Sequence, residues 1–249
     1  FEKFLFIISY SKDILIIIPA RGGSKGLPRK NARTLGDIPL LGWTAEAVKR
    51  SSLSEATCIL STDDEEIADI GRTVGLEVPF LRPSELARDE ATADVVAIHA
   101  LNWMTQKTGI KPKYIMLLQP TSPFRSPELI SEAVKMLEDP SIDGVIGVKS
   151  IYRNLATLYF ADENMNVLPI DKSENFQSRR QDINPIYTPN GALYLIHSEN
   201  LNSPKSFTPE KCRGIAMDQI SSIDLDDPVD WELAKAVVDS KLSWRNKLS

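Results

Sequence analysis

Several common routes to function are closed by what this chain lacks. It has two cysteines in 249 residues, Cys58 and Cys212, too few for a disulfide framework; a reducing, cytoplasmic setting is the matching expectation. It has no excess of positive charge: 29 Lys and Arg against 34 Asp and Glu leave a net charge of −5. That balance argues against a general nucleic-acid binder. The apolar run at residues 4–8 is broken by Tyr10, Ser11, Lys12 and Asp13. It is too short for a membrane span, so no membrane role is expected. No small-residue cleavage site follows it, and it reads as an extension ahead of the first strand. Neither GxxxxGK[ST] nor GxGxxG occurs, which removes the Walker loop and the dinucleotide fingerprint. What remains is 42% hydrophobic and 25% charged, ordinary for a globular protein. The length suits one large domain or one domain with an elaboration.

The most informative stretch is residues 14–31, ILIIIPARGGSKGLPRKN. Five aliphatic residues, 14–18, predict a fully buried strand, and Pro19 ends its hydrogen-bonding ladder. From Arg21 to Arg33 there are five cations and no acid. Gly22, Gly23 and Gly26 allow a ligand to approach the backbone closely. Aimed N–H groups and several cations suit a polyphosphate, and open α/β sheets bind ligands at the carboxyl ends of their strands.

The remainder alternates strand and helix. Helices are predicted at 39–50, 65–74, 92–107, from 127 to about 138, and at 229–241. Strands are predicted at 57–60, 77–81, 113–118, 144–148, 192–196 and 213–217. This alternation predicts a mostly parallel sheet flanked by helices, a Rossmann-like α/β fold. From about 150 to 188 the pattern breaks into strand-like pieces, 155–160 and 166–170, which predict an antiparallel extension within a single domain. Asn190-Gly191 reads as a tight turn. Asp64 reads as a helix N-cap, with Asp63 a weaker candidate for a ligand site. Ser126 before Pro127 is another cap. His99 reads as a packed or surface histidine. Asp224 and Asp226 alternate along an extended segment and can face one side, where two carboxylates offer hard oxygen ligands to Mg²⁺. One of Asp226 and Asp227 is also a cap ahead of Pro228. Gln119 sits at a strand end, fit either to read a sugar or to brace its loop. Arg125 reads as a loop brace. Lys149 reads equally as a cation for a ligand or as a solvated strand end.

The run PARGGSKGLPRKN resembles the signature of the acylneuraminate cytidylyltransferases, the CMP-N-acetylneuraminate synthetases and their CMP-legionaminate relatives. STDD at 61–64, FLRPSELARD at 80–89, LLQPTSPFR at 117–125, RRQD at 179–182, PNGALY at 189–194 and SIDLDD at 222–227 extend the resemblance over residues 13–240. The resemblance implies a nucleotidyltransferase that moves CMP from CTP to the anomeric hydroxyl of a nine-carbon 2-keto-3-deoxy sugar acid and releases pyrophosphate. It implies Mg²⁺ as cofactor on Asp224 and Asp226, and catalytic Arg21 and Lys25. The nucleotide would lie on Ala20, Arg21, Gly22, Lys25, Asn31, Arg82 and Thr92, with Asp89 bracing the loop. Gln119, Arg180 and Tyr194 would meet the sugar, although Tyr194 also suits the core. A homodimer is implied, with the 150–188 extension reaching the second subunit. The family's histidine-containing stretch is replaced here by Tyr152-Arg153-Asn154-Leu155-Ala156-Thr157, and Thr188 stands where many members have Arg. Both departures fall on the sugar side and leave the sugar's identity open. The alternatives are a CMP-ketodeoxyoctonate synthetase and a non-catalytic nucleotide-binding protein on the same fold.

Overall fold

The computed structural model of the chain describes residues 11–24, 26–151, 153, 157–170, 186–203 and 205–245. Lys25, Arg180 and the RRQD stretch lie outside the described residues. The centre is a six-stranded sheet in the order β10-β6-β9-β5-β1-β4. β1 is Ile14–Pro19, β4 Thr57–Ser61, β5 Tyr114–Leu117, β6 Gly144–Ile151, β9 Ile186–His197 and β10 Cys212–Met217. β1 pairs parallel with β4 and β5, and β10 parallel with β6, whereas β9 runs antiparallel to both β5 and β6. Two short strands, β2 (Thr34–Leu35) and β3 (Ile38–Pro39), form a separate ribbon.

The aliphatic run of β1 is buried on both faces of the sheet, as its unbroken hydrophobicity requires. Ile14, Ile16 and Ile18 pack on one side with Trp43 of α1 (Leu40–Lys49), Ile67 of α2 (Glu65–Thr73), Ile130 of α4 (Pro127–Met136) and Trp231 of α5 (Pro228–Asp239). Leu15 and Ile17 pack on the other with Ala97, Ala100 and Leu101 of α3 (Ala93–Thr108). Helices thus cover both faces. Their starts follow local chemistry: Asp64 accepts from the Ile67 N–H at 3.0 Å, Ser126 from the Leu129 N–H at 3.3 Å, and Asp227 forms a capping box with Asp230.

Two expectations are corrected. Asn190-Gly191 is no turn; β9 runs straight through it, with Gly191 at φ 77° and a register shift opposite Ile146/Val148. Glycine serves there because a β-bulge with positive φ excludes a side chain. Asn190 uses its side chain to accept from the Ala192 N–H at 3.2 Å and to donate to Ser222 Oγ at 3.0 Å. Residues 77–81 form no strand beyond a single bridge, Ile59 to Glu77, because Pro79 interrupts the ladder. The break at 150–188 does contain a hairpin, β7 (Tyr159–Ala161) against β8 (Val167–Pro169), which stands apart from the main sheet. Phe160, Val167 and Leu168 on it are exposed.

Candidate active site

The residues singled out in the sequence gather at the carboxyl ends of β1, β4 and β5. A cavity of about 540 Å³ opens there. Arg21, Asn31, Arg82, Thr92, Gln119, Asp224 and Asp226 all line it, although they span two hundred residues of chain. Ala20 and Gly22 support the wall from behind. The Ala20 N–H donates to the Ser61 carbonyl at 3.0 Å and the Gly22 N–H to Asp63 Oδ1 at 3.0 Å. Glycine suits position 22 because a Cβ there would lie 2.7 Å from Asp64 Oδ2 and push that carboxylate aside. Asp64 therefore caps α2, holds Arg29 at 2.5 Å and packs on the glycine turn. The Arg29 guanidinium keeps its carboxyl below the usual range.

Carboxylates hold three of the basic groups of this cavity, Arg21, Lys30 and Arg82, while Arg88, also in its lining, makes no salt bridge with a described residue. Arg21 bonds Asp89 Oδ1 at 2.6 Å, tying the glycine loop to the loop before α3. Arg82 is buried within 3.6 Å of Asp63; burial pulls its pKa down and the Asp63 charge opposes that. Lys30 donates to the Leu225 carbonyl at 2.5 Å and stands 3.2 Å from Asp226. Asn31 donates to the Arg21 carbonyl at 3.1 Å, and its Oδ1 is buried with no partner among the described residues. That orphan oxygen is an acceptor for a hydroxyl or amino group of a ligand. Thr92 sits at the N-cap position of α3 without a side-chain cap bond.

Arg125 is fully buried behind the wall. It donates to the carbonyls of Ala192 at 2.5 Å and Gln119 at 2.7 Å, and to Thr44 Oγ1 at 3.2 Å. Burial pulls it down to about 9, so it stays charged at neutral pH. It is the expected brace, and it fixes the backbone of Gln119 at the cavity edge. The ring of Tyr194 packs into the core while its hydroxyl reaches the backbone of Gly191 and feels the charge of Asp224. It packs on Phe207 at 5.8 Å between ring centroids on the α3 side of the sheet, and burial pushes its hydroxyl up. His99 packs edge-on against Phe80 at 4.5 Å, a packed histidine as expected.

Asp224 and Asp226 form a partition. They line the first cavity and also a second, of about 470 Å³, which Lys149, Met217, Gln219 and Asp230 help to enclose. Burial pushes Asp224 up, and the like charge of Asp226 adds to this. A hydrogen bond from Thr121 and the charges of Lys30 and Lys149 act the other way. Asp224 Oδ1 is buried with no partner among the described residues. No group of three His, Cys, Asp or Glu poised for a metal occurs among those residues. Two carboxylates, one with an orphan oxygen, still suit a hard divalent cation that takes its other ligands from phosphate and water. Lys30 and Thr121 are site residues that the sequence reading does not single out, while Gly26 belongs to the glycine turn expected to approach a ligand. Lys30 was legible as part of the cation cluster, but its partner lies 196 positions away.

A family model described as Cytidylyltransferase matches residues 15–224. The chain is 37% identical to the CMP-N,N'-diacetyllegionaminic acid synthase of Legionella pneumophila over 230 residues, 91% of this chain and 96% of that protein. It is 35% identical to the N-acylneuraminate cytidylyltransferase of Escherichia coli over 229 residues, 92% of this chain and 52% of that protein. The chain thus spans about half the length of the latter relative. Among solved structures, a CMP:2-keto-3-deoxy-manno-octonic acid synthetase complexed with CTP superposes with a TM-score of 0.66. That match covers 92% of this chain and all of the other at 16% identity, a likeness of fold.

Proposed function

The chain belongs to the cytidylyltransferase family, and on that premise we propose that it transfers CMP from CTP to the anomeric hydroxyl of a nine-carbon 2-keto-3-deoxy sugar acid of the sialic or legionaminic kind. The sugar hydroxyl oxygen forms a bond to the α-phosphorus and gives up its proton to solvent, the bond from that phosphorus to the bridging oxygen breaks, and pyrophosphate leaves with the electron pair. Such transfer depends on positioning and charge neutralisation more than on covalent help from the protein. The observation that carries the reading is the Asp224–Asp226 pair, an orphan carboxylate oxygen included, standing at the edge of a cavity lined with cations.

In this reading Arg21 and Lys25 neutralise the triphosphate and the departing pyrophosphate, and Lys30 adds a third charge. Asn31, Arg82 and Thr92 hold the nucleoside. Gln119 faces the sugar; Arg180, outside the described residues, is a sugar contact by family resemblance alone. Asp224 and Asp226 would hold Mg²⁺, which would supply Lewis-acid charge neutralisation at the reacting phosphate. Lys30 keeps Asp226 in place through its ion pair, and Thr121 orients Asp224 through its hydroxyl.

The test is pyrophosphate release from CTP with a panel of nine-carbon acids and ketodeoxyoctonate, each with and without EDTA. Release with a nine-carbon acid, abolished by EDTA and restored by Mg²⁺, is the expected result. Preference for ketodeoxyoctonate would move the substrate to the eight-carbon class. Tight CTP binding with no release from any acid would point to a binding protein on this fold. The exposed β7–β8 hairpin supports a homodimer, which light scattering of the full chain tests. Cytoplasmic placement belongs to the same reading and is supported by the two free cysteines. No helix among the described residues is long and apolar enough to cross a membrane.

A further inference from the structure

We propose that Lys149 makes the second cavity the subsite for the acid, anchoring the substrate carboxylate beside the Asp224–Asp226 partition from within the same chain. The proposal rests on the cytidylyltransferase reading for the identity of the acid, and on geometry for the subsite itself. Lys149 lies at the carboxyl end of β6, paired with Met217 of β10 and Thr188 of β9. Its side chain lines the second cavity and is exposed. It makes no salt bridge with any described residue, whereas Arg21, Lys30 and Arg82 of the first cavity are each paired.

The charges of the second cavity explain why an anchor is needed there. Among its described lining residues Asp224, Asp226 and Asp230 are acidic, and Lys149 is the one cation. An anionic ligand beside three carboxylates is repelled unless a positive group meets it. In a 2-keto-3-deoxy acid the carboxylate is bonded directly to the anomeric carbon. Whatever grips the carboxylate therefore fixes the attacking hydroxyl one carbon away. Lys149 satisfies that proximity, since it lines the same cavity as Asp224 and Asp226, the two residues shared with the first cavity. An ammonium group, a compact charge with three donors, suits a carboxylate that must share space with a metal and a phosphate. Met217 and Leu233 add apolar wall suited to an acyl methyl group.

The test compares wild type, Lys149→Gln and Lys149→Arg. Pyrophosphate release gives KM for CTP and for the acid, and calorimetry gives binding of the acid in the presence of CMP. Loss of one charge-assisted hydrogen bond should raise KM and Kd for the acid about 10- to 100-fold in the Gln variant and leave KM for CTP within about twofold. The Arg variant should recover most of the affinity. An acid analogue carrying a carboxamide should bind wild type and Lys149→Gln equally weakly, because the missing contact is the same one. Unchanged acid affinity in Lys149→Gln, or an equal loss for acid and CTP, would overturn the proposal while the enzymatic reading stood. Wild type that binds the acid through Lys149 yet releases no pyrophosphate would keep the subsite and overturn the enzymatic reading. Wild type that binds no acid would overturn both.

Discussion

The two cavities on either side of Asp224 and Asp226 differ in how most of their cations are held. In the first, Arg21, Lys30 and Arg82 are held by protein carboxylates before any ligand arrives. In the second, Lys149 is held by no described carboxylate and faces an acidic wall. The lesson is one of preorganisation. A nucleotide triphosphate can replace carboxylates that already hold the cations in position, so ordering costs little at binding. The second cavity must be completed by its ligand, and its specificity rests on a few groups that can change without disturbing the first.

The strongest way to break this contrast is at the shared wall. Asp224→Asn should reduce pyrophosphate release by roughly 10²–10³-fold, the scale for loss of one group stabilising charge in a transition state. The same change should leave the fold equally or more stable at neutral pH. Burial raises the folded-state pKa of Asp224, so the folded protein is penalised above that pKa, where the group must ionise. The penalty is absent below the unfolded value, where both states are protonated. Melting curves at pH 7 and pH 4 check the sign: any gain in Tm should shrink on acidification. A variant less stable than wild type at pH 7 would show that Asp224 is held by favourable contacts instead.

Next in size is the brace behind the first cavity. Arg125→Met leaves three buried oxygens without their donor and should cost about 3 kcal/mol, roughly 6–12 °C in Tm for a chain of this size. Thermal unfolding measures it. A loss of activity at full stability would instead give Arg125 a role at the substrate.

Gly26→Ala tests how closely the first cavity is fitted to the partition. A Cβ there would lie 2.0 Å from the Asp226 carbonyl oxygen, a backbone atom that cannot swing aside. Overpacking of this kind costs about 1–3 kcal/mol. If it falls on the binding geometry, KM for CTP should rise about tenfold while circular dichroism stays unchanged. Asp89→Asn is the mildest change. Exposed ion pairs contribute about 0–1 kcal/mol, so release of Arg21 should tighten CTP binding by no more than about fivefold. Weaker binding would show that Asp89 orients Arg21 rather than competing for it.

Legibility followed the range of the forces involved. β1 was evident from five aliphatic residues, and the caps at Asp64, Ser126 and Asp227 from their neighbours, because each is decided within one turn of chain. Asn190-Gly191 was misread because its turn chemistry is real but is used for a bulge, which only the pairing with Ile146 and Val148 determines. Residues 77–81 carried strand-forming side chains, yet Pro79 left one bridge. In the site, residue types at strand ends were readable. Contacts between distant segments were not: Lys30 with Asp226, or Arg125 with Ala192 and Thr44, depend on topology that no window of sequence contains. Tyr194 was ambiguous because alternate positions of a strand face opposite sides, and the register puts it with Phe207.

The reversed strand β9 also has a consequence for how the chain is made. It fills the gap between β5 and β6, yet emerges from the ribosome after both. Until residues 186–197 are synthesised, β5 and β6 each present an unsatisfied edge, and the apolar face around Ile115 and Leu117 lacks Ile196. Open edges of that kind pair readily with other chains. Ribosome-stalled fragments ending before 186 should therefore depend on chaperones to stay dispersed, and the released full chain, in which β10 also covers the other edge of β6, should not.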